Sequence, residues 1–316
     1  MEVAAIIPTH NRAPSLRRLL ASLRAIECPA DIRLEIIVVD NGCTDETADL
    51  LRGEQALAGR FSLKILEEAR KGKAAALNRG LAASSGHMLA LLDDDVVVHP
   101  RWLTEHVRAH HETGFDAVQG RVLPAWHLEG GGSADLRGLH EHNVLVIDYG
   151  EQFRAIRGFA GTNVSFKREV FETAGLFDVR LGPGAAGYSE DTEYSRRVRH
   201  AGFKIGYAPG AIVYHELNRG RYGRQYNRLA EYRKGLSRAV YRRDSIAGRV
   251  VPSLIGHCMR YGLYRLTGKT EKAYKTEGRI MKCWGYLVGT LSRGKSGAAC
   301  CVWLHGAAGA WLLNLV

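Results

Sequence analysis

The apolar positions of the first hundred residues follow two alternating rhythms. Short runs of Ile, Val, Leu and Ala at 3–8, 34–40, 61–66 and 87–93 have few polar breaks, so they read as short strands of a buried sheet. Between them, 14–25, 44–51 and 72–83 carry helical patterns. Thr44-Asp45-Glu46-Thr47 looks like a helix start with acids in the first turn. Strands alternating with helices of about ten residues imply βαβ units and right-handed crossovers. After Pro100 the rhythm loosens. It predicts a helix over 101–111, a strand near 117–122, a loop at Gly130-Gly131-Gly132, a strand or pair over 159–167, a helix over 190–200 and a short strand at 212–215.

The expected fold class is therefore α/β: a mostly parallel central sheet flanked by helices, with a basic helical C-terminal extension. The expected domains are 1–216, divided into 1–100 and 101–216, and the extension 217–316. Charge supports the division. Residues 217–295 hold 19 Lys and Arg against 4 Asp and Glu, a balance of +15, which leaves −4 for the rest of a chain of net +11. The 316 residues, 46% of them hydrophobic, are enough to bury a sizeable core. Met1 runs straight into the first strand, leaving no room for a cleavable signal peptide. The six cysteines have no C-x-x-C spacing or disulfide-like framework. A reduced, cytoplasmic protein is expected.

Candidate chemistry gathers at strand ends. Asp93-Asp94-Asp95 closes the run 87–92, Asp40 closes Val38-Val39-Asp40, and Pro8-Thr9-His10-Asn11-Arg12 closes the first strand. In a parallel sheet these ends share one edge, where ligands bind in open α/β folds. Three adjacent carboxylates repel one another and are costly without a cation; oxygen ligands of this kind suit Mg²⁺ or Mn²⁺. A solvated acidic turn before Pro100 is the plainer alternative.

Residues 3–216 resemble a family 2 glycosyltransferase with the GT-A fold. The resemblance rests on Ile7-Pro8-Thr9-His10-Asn11-Arg12, Val38-Val39-Asp40-Asn41-Gly42-Cys43-Thr44-Asp45, Gly72-Lys73-Ala74-Ala75-Ala76-Leu77-Asn78, Leu92-Asp93-Asp94-Asp95, Gly161-Thr162-Asn163 and Glu190-Asp191-Thr192-Glu193, six short motifs in order. It implies metal-dependent, inverting transfer of a sugar from a nucleoside diphosphate to an acceptor hydroxyl, in cell-surface polysaccharide or glycolipid synthesis. On this resemblance Pro8, Thr9, Arg12, Asp40, Lys73, Asp93 and Asp94 lie on the donor side. Asp40 faces the nucleobase, which favours a UDP-sugar; Asp93 faces the ribose or sugar, and Asp94 has no task of its own. Asp95 and His215 hold Mn²⁺ or Mg²⁺. Gly161, Thr162, Asn163 and Glu190 line the acceptor side. Asp191 is the general base, a task worth about 10²–10⁴-fold in rate. The partners implied are a nucleotide-sugar donor and a saccharide or lipid-linked acceptor. Lys73 and Arg70 would bring positive charge and free N–H groups to a diphosphate, and Asn78 would fix local structure.

Two alternatives remain: a nucleotidyltransferase on a similar α/β body, and a basic nucleic-acid-binding protein. The first normally opens with a Gly-rich phosphate loop where Pro8-Thr9-His10-Asn11-Arg12 stands; the second gives the ordered acidic motifs no role.

Several patterns are set aside. Residues 289–296 fit a P-loop, but only 20 residues follow, too few for the required sheet. Gly182-Pro183-Gly184-Ala185-Ala186-Gly187 reads as a mobile loop before Asp191 rather than a dinucleotide fingerprint. His106 and His110 have zinc-pair spacing but no third ligand, and read as a solvated helix face. In Gln225-Tyr226-Asn227-Arg228-Leu229 the Trp of the polymer-forming relatives' Q-x-x-R-W is absent, which favours single transfers.

Arginines and tyrosines interleave through 219–243. That composition suits an anionic membrane surface or a phosphate-bearing acceptor better than nucleic acid, which is not expected as a partner. Residues 296–316 carry no charged side chain. They are long enough to span a bilayer, though Gly297, Gly306, Gly309, His305 and Asn314 weaken that reading; peripheral attachment and packing on the catalytic domain are the other placements. The expected location is the cytoplasm, at or near the inner face of the membrane.

Overall fold

The computed structural model describes residues 1–56, 61–125, 145–221 and 223–292. The glycine loop at 130–132, the stretch 296–316 and Tyr222 lie outside them. Of the P-loop look-alike, 289–291 closes a helix and 293–296 lies outside.

The chain forms two compact units. The first begins with β1 (Glu2–Thr9), α1 (Ala13–Arg24), β2 (Arg33–Asp40), α2 (Thr47–Ala56), β3 (Ser62–Glu67), α3 (Lys73–Ala83) and β4 (Met88–Leu92). It continues with β5 (Val96–Val98), α4 (Trp102–Thr113), β6 (Ala117–Pro124), β7 (Arg154–Ala155), β8 (Asn163–Lys167), α5 (Arg168–Ala174), α6 (Glu190–His200) and β9 (Ile205–His215). The sheet order is β3-β2-β1-β4-β8-β6-β9-β5, with β7 beside β9.

β1 shows why the first strands lack polar alternation. Val3, Ala5 and Ile7 enter one core with Leu16, Leu19 and Leu20 of α1, while Ala4 and Ile6 enter the opposite core with Ala74, Leu77 and Leu81 of α3. Neither face meets water, so positions 3–8 are all apolar. The parallel register Thr9↔Asp40 brings the ends of β1 and β2 level, and β4 lies parallel on the other side of β1. Parallel pairing fills this first half. Beyond β4 the sheet is mixed: β8 is antiparallel to both β4 and β6, and β9 is parallel to β6 but antiparallel to β5. That reversal aids the site, because β8 starts where β4 ends, with Asn163 opposite Leu92.

The last strand is 11 residues long, not the four of 212–215. Pro209 and Gly210 read as breakers, but the strand absorbs them as a bulge: Gly120 pairs with Ala208, whereas Arg121 pairs with Ile212. The Asn163 amide plugs the irregularity, donating to Arg121 O at 3.1 Å and Ala211 O at 2.8 Å. A Cβ on Gly120 would lie 2.2 Å from that amide nitrogen, so only glycine leaves it room.

The second unit contains α7 (Arg224–Tyr241), a π-helical turn (Ile246–Val250), α8 (Val251–Leu266) and α9 (Thr270–Leu291). α7 and α9 approach closely through glycines: a Cβ on Gly235 would lie 2.2 Å from Lys282 O, and one on Gly285 2.0 Å from Tyr232 O. Arg224 and buried Arg228 both pair with Glu277 of α9, at 2.8 and 2.7 Å, and Arg238 pairs with Asp244 at 2.7 Å. Part of the basic run at 219–243 therefore serves internal packing. Among the described residues no helix is long and apolar enough to cross a membrane.

Candidate active site

The C-terminal edge of β1, β2 and β4 collects the predicted residues of the first unit. The acidic triplet follows β4 directly, and its members face different ways. Asp93 accepts from the Thr162 hydroxyl at 2.8 Å and is ion-paired with Lys73. Burial works to raise this carboxyl, but Lys73 and Thr162 outweigh it and hold Asp93 below the usual carboxylate range. The Lys73 ammonium also lies 3.9 Å from Glu190. Burial opposes its charge, yet Asp93 and Glu190 raise it above its ordinary value.

Asp94 has a structural task that its place in the triplet does not reveal. It accepts from the Thr9 hydroxyl at 2.8 Å and from Arg12 at 3.2 Å, tying the loop after β1 to the loop after β4. Burial, and secondarily the charge of Asp95, push it up to about 6 against the pull of Arg12. Thr9 spends its hydroxyl inward and is 2% exposed, while Pro8 is buried within β1, in register with Val39. These two shape the strand end at which the loop to Arg12 begins.

Asp95 is ion-paired with Arg12 on one oxygen, and its other oxygen is 3.5 Å from His215 Nε2. His215 Nδ1 lies 2.8 Å from Glu216 O, and Glu216 N donates to Asp95 O at 2.9 Å, so the end of β9 is fastened to the triplet. Against a carbonyl, Nδ1 donates, so Nε2 is the ring nitrogen left facing Asp95. A carboxylate oxygen and an imidazole nitrogen are both ligand types that Mn²⁺ accepts, so Asp95 and His215 fit the expected metal. Among the described residues no third His, Cys, Asp or Glu completes a cluster; such ions commonly take the remaining ligands from substrate phosphate and water.

Asp40, half-buried, accepts from Cys43 N at 2.7 Å at the turn closing β2. Asn41, for which the sequence suggests no role, orders the next loop. Its amide donates to Glu68 O and Arg70 O at 2.9 and 2.8 Å, and its oxygen accepts from Gly72 N at 2.8 Å. Lys73 N donates to Pro183 O at 3.1 Å. The N–H groups of Gly72 and Lys73, at the start of α3, are therefore occupied, and the glycine-rich 182–184 stretch packs against Gly72.

Asp191, half-buried at the start of α6, accepts from Gly161 N at 3.2 Å and Thr192 N at 2.6 Å. Glu190 is buried; burial first, then the charge of Asp191, raise it well above the usual carboxylate range against the pull of Lys73. Gly161 lies between the two halves, its missing Cβ 3.6 Å from Lys73 Nζ and 3.8 Å from the Cβ of Asp191.

Two expectations need correction. Asn163 does not line an acceptor pocket. It is fully buried; its oxygen accepts from Trp102 Nε1 at 2.9 Å and lies 2.9 Å from His106 Nε2, while its nitrogen serves the β9 bulge. His106 and His110 are not a solvated face. His106 is fully buried and His110 largely so, and the Ser165 hydroxyl stands 2.8 and 2.9 Å from their rings. Their helical spacing fixed a common face but not its direction, which depends on β8, more than fifty residues away. Asn78 does fix local structure, exchanging hydrogen bonds with Phe177 at 2.8 and 2.9 Å.

Residues 4–175 match the family model "Glycosyl transferase family 2". The chain is similar to glycosyltransferase AglE of Haloferax volcanii, 31% identical over 215 residues, covering 67% of this chain and 66% of that protein. It is similar to the succinoglycan biosynthesis protein ExoM of Rhizobium meliloti, 28% identical over 232 residues, covering 71% of this chain and 70% of the other. Across the first of its curated relatives, the matched part spans from 43% to 70% of their length. Its fold is like that of the mannosyltransferase PcManGT from Pyrobaculum calidifontis, solved with GDP-Man and Mn²⁺: TM-score 0.57 and 19% identity, over 98% of this chain and 79% of the other. An α/β sheet of this order and a family match over more than half its length lead to one conclusion: the chain belongs to the family 2 glycosyltransferases of the GT-A fold.

Proposed function

We propose that this protein transfers a sugar, with inversion, from a nucleoside diphosphate to the hydroxyl of a saccharide or lipid-linked acceptor. The reading extends to cell-surface polysaccharide or glycolipid synthesis at the inner face of the membrane, supported by the likeness to a succinoglycan biosynthesis protein. The observation that carries it is the arrangement around Lys73. On one side its ammonium holds Asp93 of the acidic triplet; on the other it stands 3.9 Å from Glu190, next to Asp191. Donor-side and acceptor-side carboxylates are thus set apart by one cation.

In this reading Asp40 and Arg12 flank the nucleotide, and Asp93, fixed by Lys73 and Thr162, keeps its charge beside the ribose or sugar. A divalent cation held by Asp95 and His215 would supply Lewis-acid stabilisation of the diphosphate leaving group. Asp191 accepts the proton of the attacking hydroxyl as that oxygen bonds to the anomeric carbon from the face opposite the diphosphate. Gly161 N holds one of its oxygens in place for that transfer. Glu190, buried behind Lys73, positions the ammonium and does not itself act as base.

A panel of nucleotide sugars, assayed for donor turnover with and without Mn²⁺, tests the reading. Turnover of at least one donor that disappears in Asp95→Ala is expected. Neither turnover nor binding of any donor by the parent protein would sink the proposal.

A further inference from the structure

The second unit presents an apolar helix face that nothing in the sugar-transfer reading uses. α8 has no buried residue. Val251, Ile255, Met259, Leu263 and Leu266 are 37%, 55%, 71%, 56% and 88% exposed. At 100° per residue these five fall within an arc of about 120° that contains no charged side chain. Arg265 borders the arc on one side and Arg260 on the other, both exposed. The half-buried residues Leu254, His257, Tyr261 and Tyr264 lie on the remaining side of a helix that packs against α9. Beyond α8 the exposed charges are mainly basic: Lys269, Lys272, Lys275 and Arg279, with Glu271 paired to Lys275 at 2.6 Å.

We propose that α8 lies in the headgroup region of an anionic lipid bilayer, its Val251–Leu266 face buried among the acyl chains and Arg260 and Arg265 reaching back to lipid phosphates. A wide apolar arc on one exposed helix face, edged by arginine, is the form of an interfacial helix. The charge selects this occupant over the other two. A second copy seated on the same face would bring a second set of Arg260, Arg265 and Lys269 to it, and α8 has no Asp or Glu to meet them. Residues 293–316 contain no Asp or Glu to meet those arginines. The surface is thus moved from the basic run at 219–243, where Arg224, Arg228 and Arg238 are paired internally, to the helix after it.

The inference is independent of the proposed reaction, and one set of preparations separates them. The full chain is floated with vesicles of phosphatidylcholine alone and of phosphatidylcholine with phosphatidylglycerol, and donor turnover is measured alongside. The parent protein should bind the anionic vesicles, more weakly as salt rises. Ile255→Glu with Met259→Glu should weaken binding about a hundredfold or more, the loss expected for roughly two inserted side chains. Arg260→Gln with Arg265→Gln should weaken it and flatten its salt dependence. All variants should keep parental donor turnover, and without vesicles their Tm should stay within about 2 °C of the parent, as for exposed positions. Equal partitioning of parent and Ile255→Glu/Met259→Glu protein overturns the proposal. So does a Tm lowered by more than about 5 °C without lipid, which would mean that protein already covers the face. A dimer dispersed by the same substitutions, with no vesicle binding by the parent, assigns the face to a second copy instead.

Discussion

Lys73 stands between two carboxylates, paired with Asp93 and 3.9 Å from Glu190, with its side chain only 17% exposed. Removing one partner of a buried ion pair leaves the other charge uncompensated, which typically costs about 3–5 kcal/mol. Lys73→Met should therefore lower the unfolding free energy by about that amount at pH 7, with Asp93 left without its cation. Chemical denaturation checks this, and a midpoint equal to the parent's would mean that Lys73 is not the cation balancing the site. At this scale the sequence is legible where a motif puts residues side by side. Asp93, Asp95, Lys73 and Asp191 are singled out by the ordered motifs that carry the family resemblance. Asp94 cannot be understood that way, because its partner Thr9 lies 85 positions away. Asn163 misleads for a related reason: it belongs to a site motif, but its side chain turns into the core beneath the site.

Among the elements, α4 joins fold and site through its histidines. Burial lowers both His106 and His110 to about 4. The unfolded chain takes up protons on these rings near pH 6.5, whereas the folded protein does so only near pH 4. Their contribution is thus complete above pH 6.5 and is lost as pH falls from 6.5 toward 4, by about 3 kcal/mol for each ring at about 1.4 kcal/mol per unit. Unfolding free energies at pH 7 and pH 4.5 should show this loss, and His110→Gln should make the pH dependence shallower. An unchanged slope in the variant would place the acid sensitivity elsewhere. The strands at 3–8, 34–40 and 87–93 are legible because both faces are buried and the apolar runs have no alternative use. β9 is not, since Pro209 and Gly210 mark a break in any local reading, and only the neighbouring strand and the Asn163 amide turn that break into a bulge.

For the whole molecule, the uneven charge of the sequence, +15 over 217–295 and −4 elsewhere, separates two regions but does not give the second one its architecture. Its helices meet through the glycine contacts of Gly235 and Gly285 and through Glu277, which gathers two arginines of α7. Neither feature has a periodic signature, so a basic surface helix was the natural expectation for residues that are partly internal. In the first unit Thr9, Asp40 and Asp93 stand at or just after strand ends, and the parallel order of β1, β2 and β4 brings those ends to one edge, which β8 and α6 then border. Asp191, held by Gly161 at that edge, is the proposed acceptor of the proton in a sugar transfer. Donor affinity and transfer rate, measured together for the parent and Asp191→Asn, decide whether it has that role. Unchanged donor affinity with kcat lowered about 10²–10⁴-fold is expected; full transfer activity in Asp191→Asn would overturn the assignment.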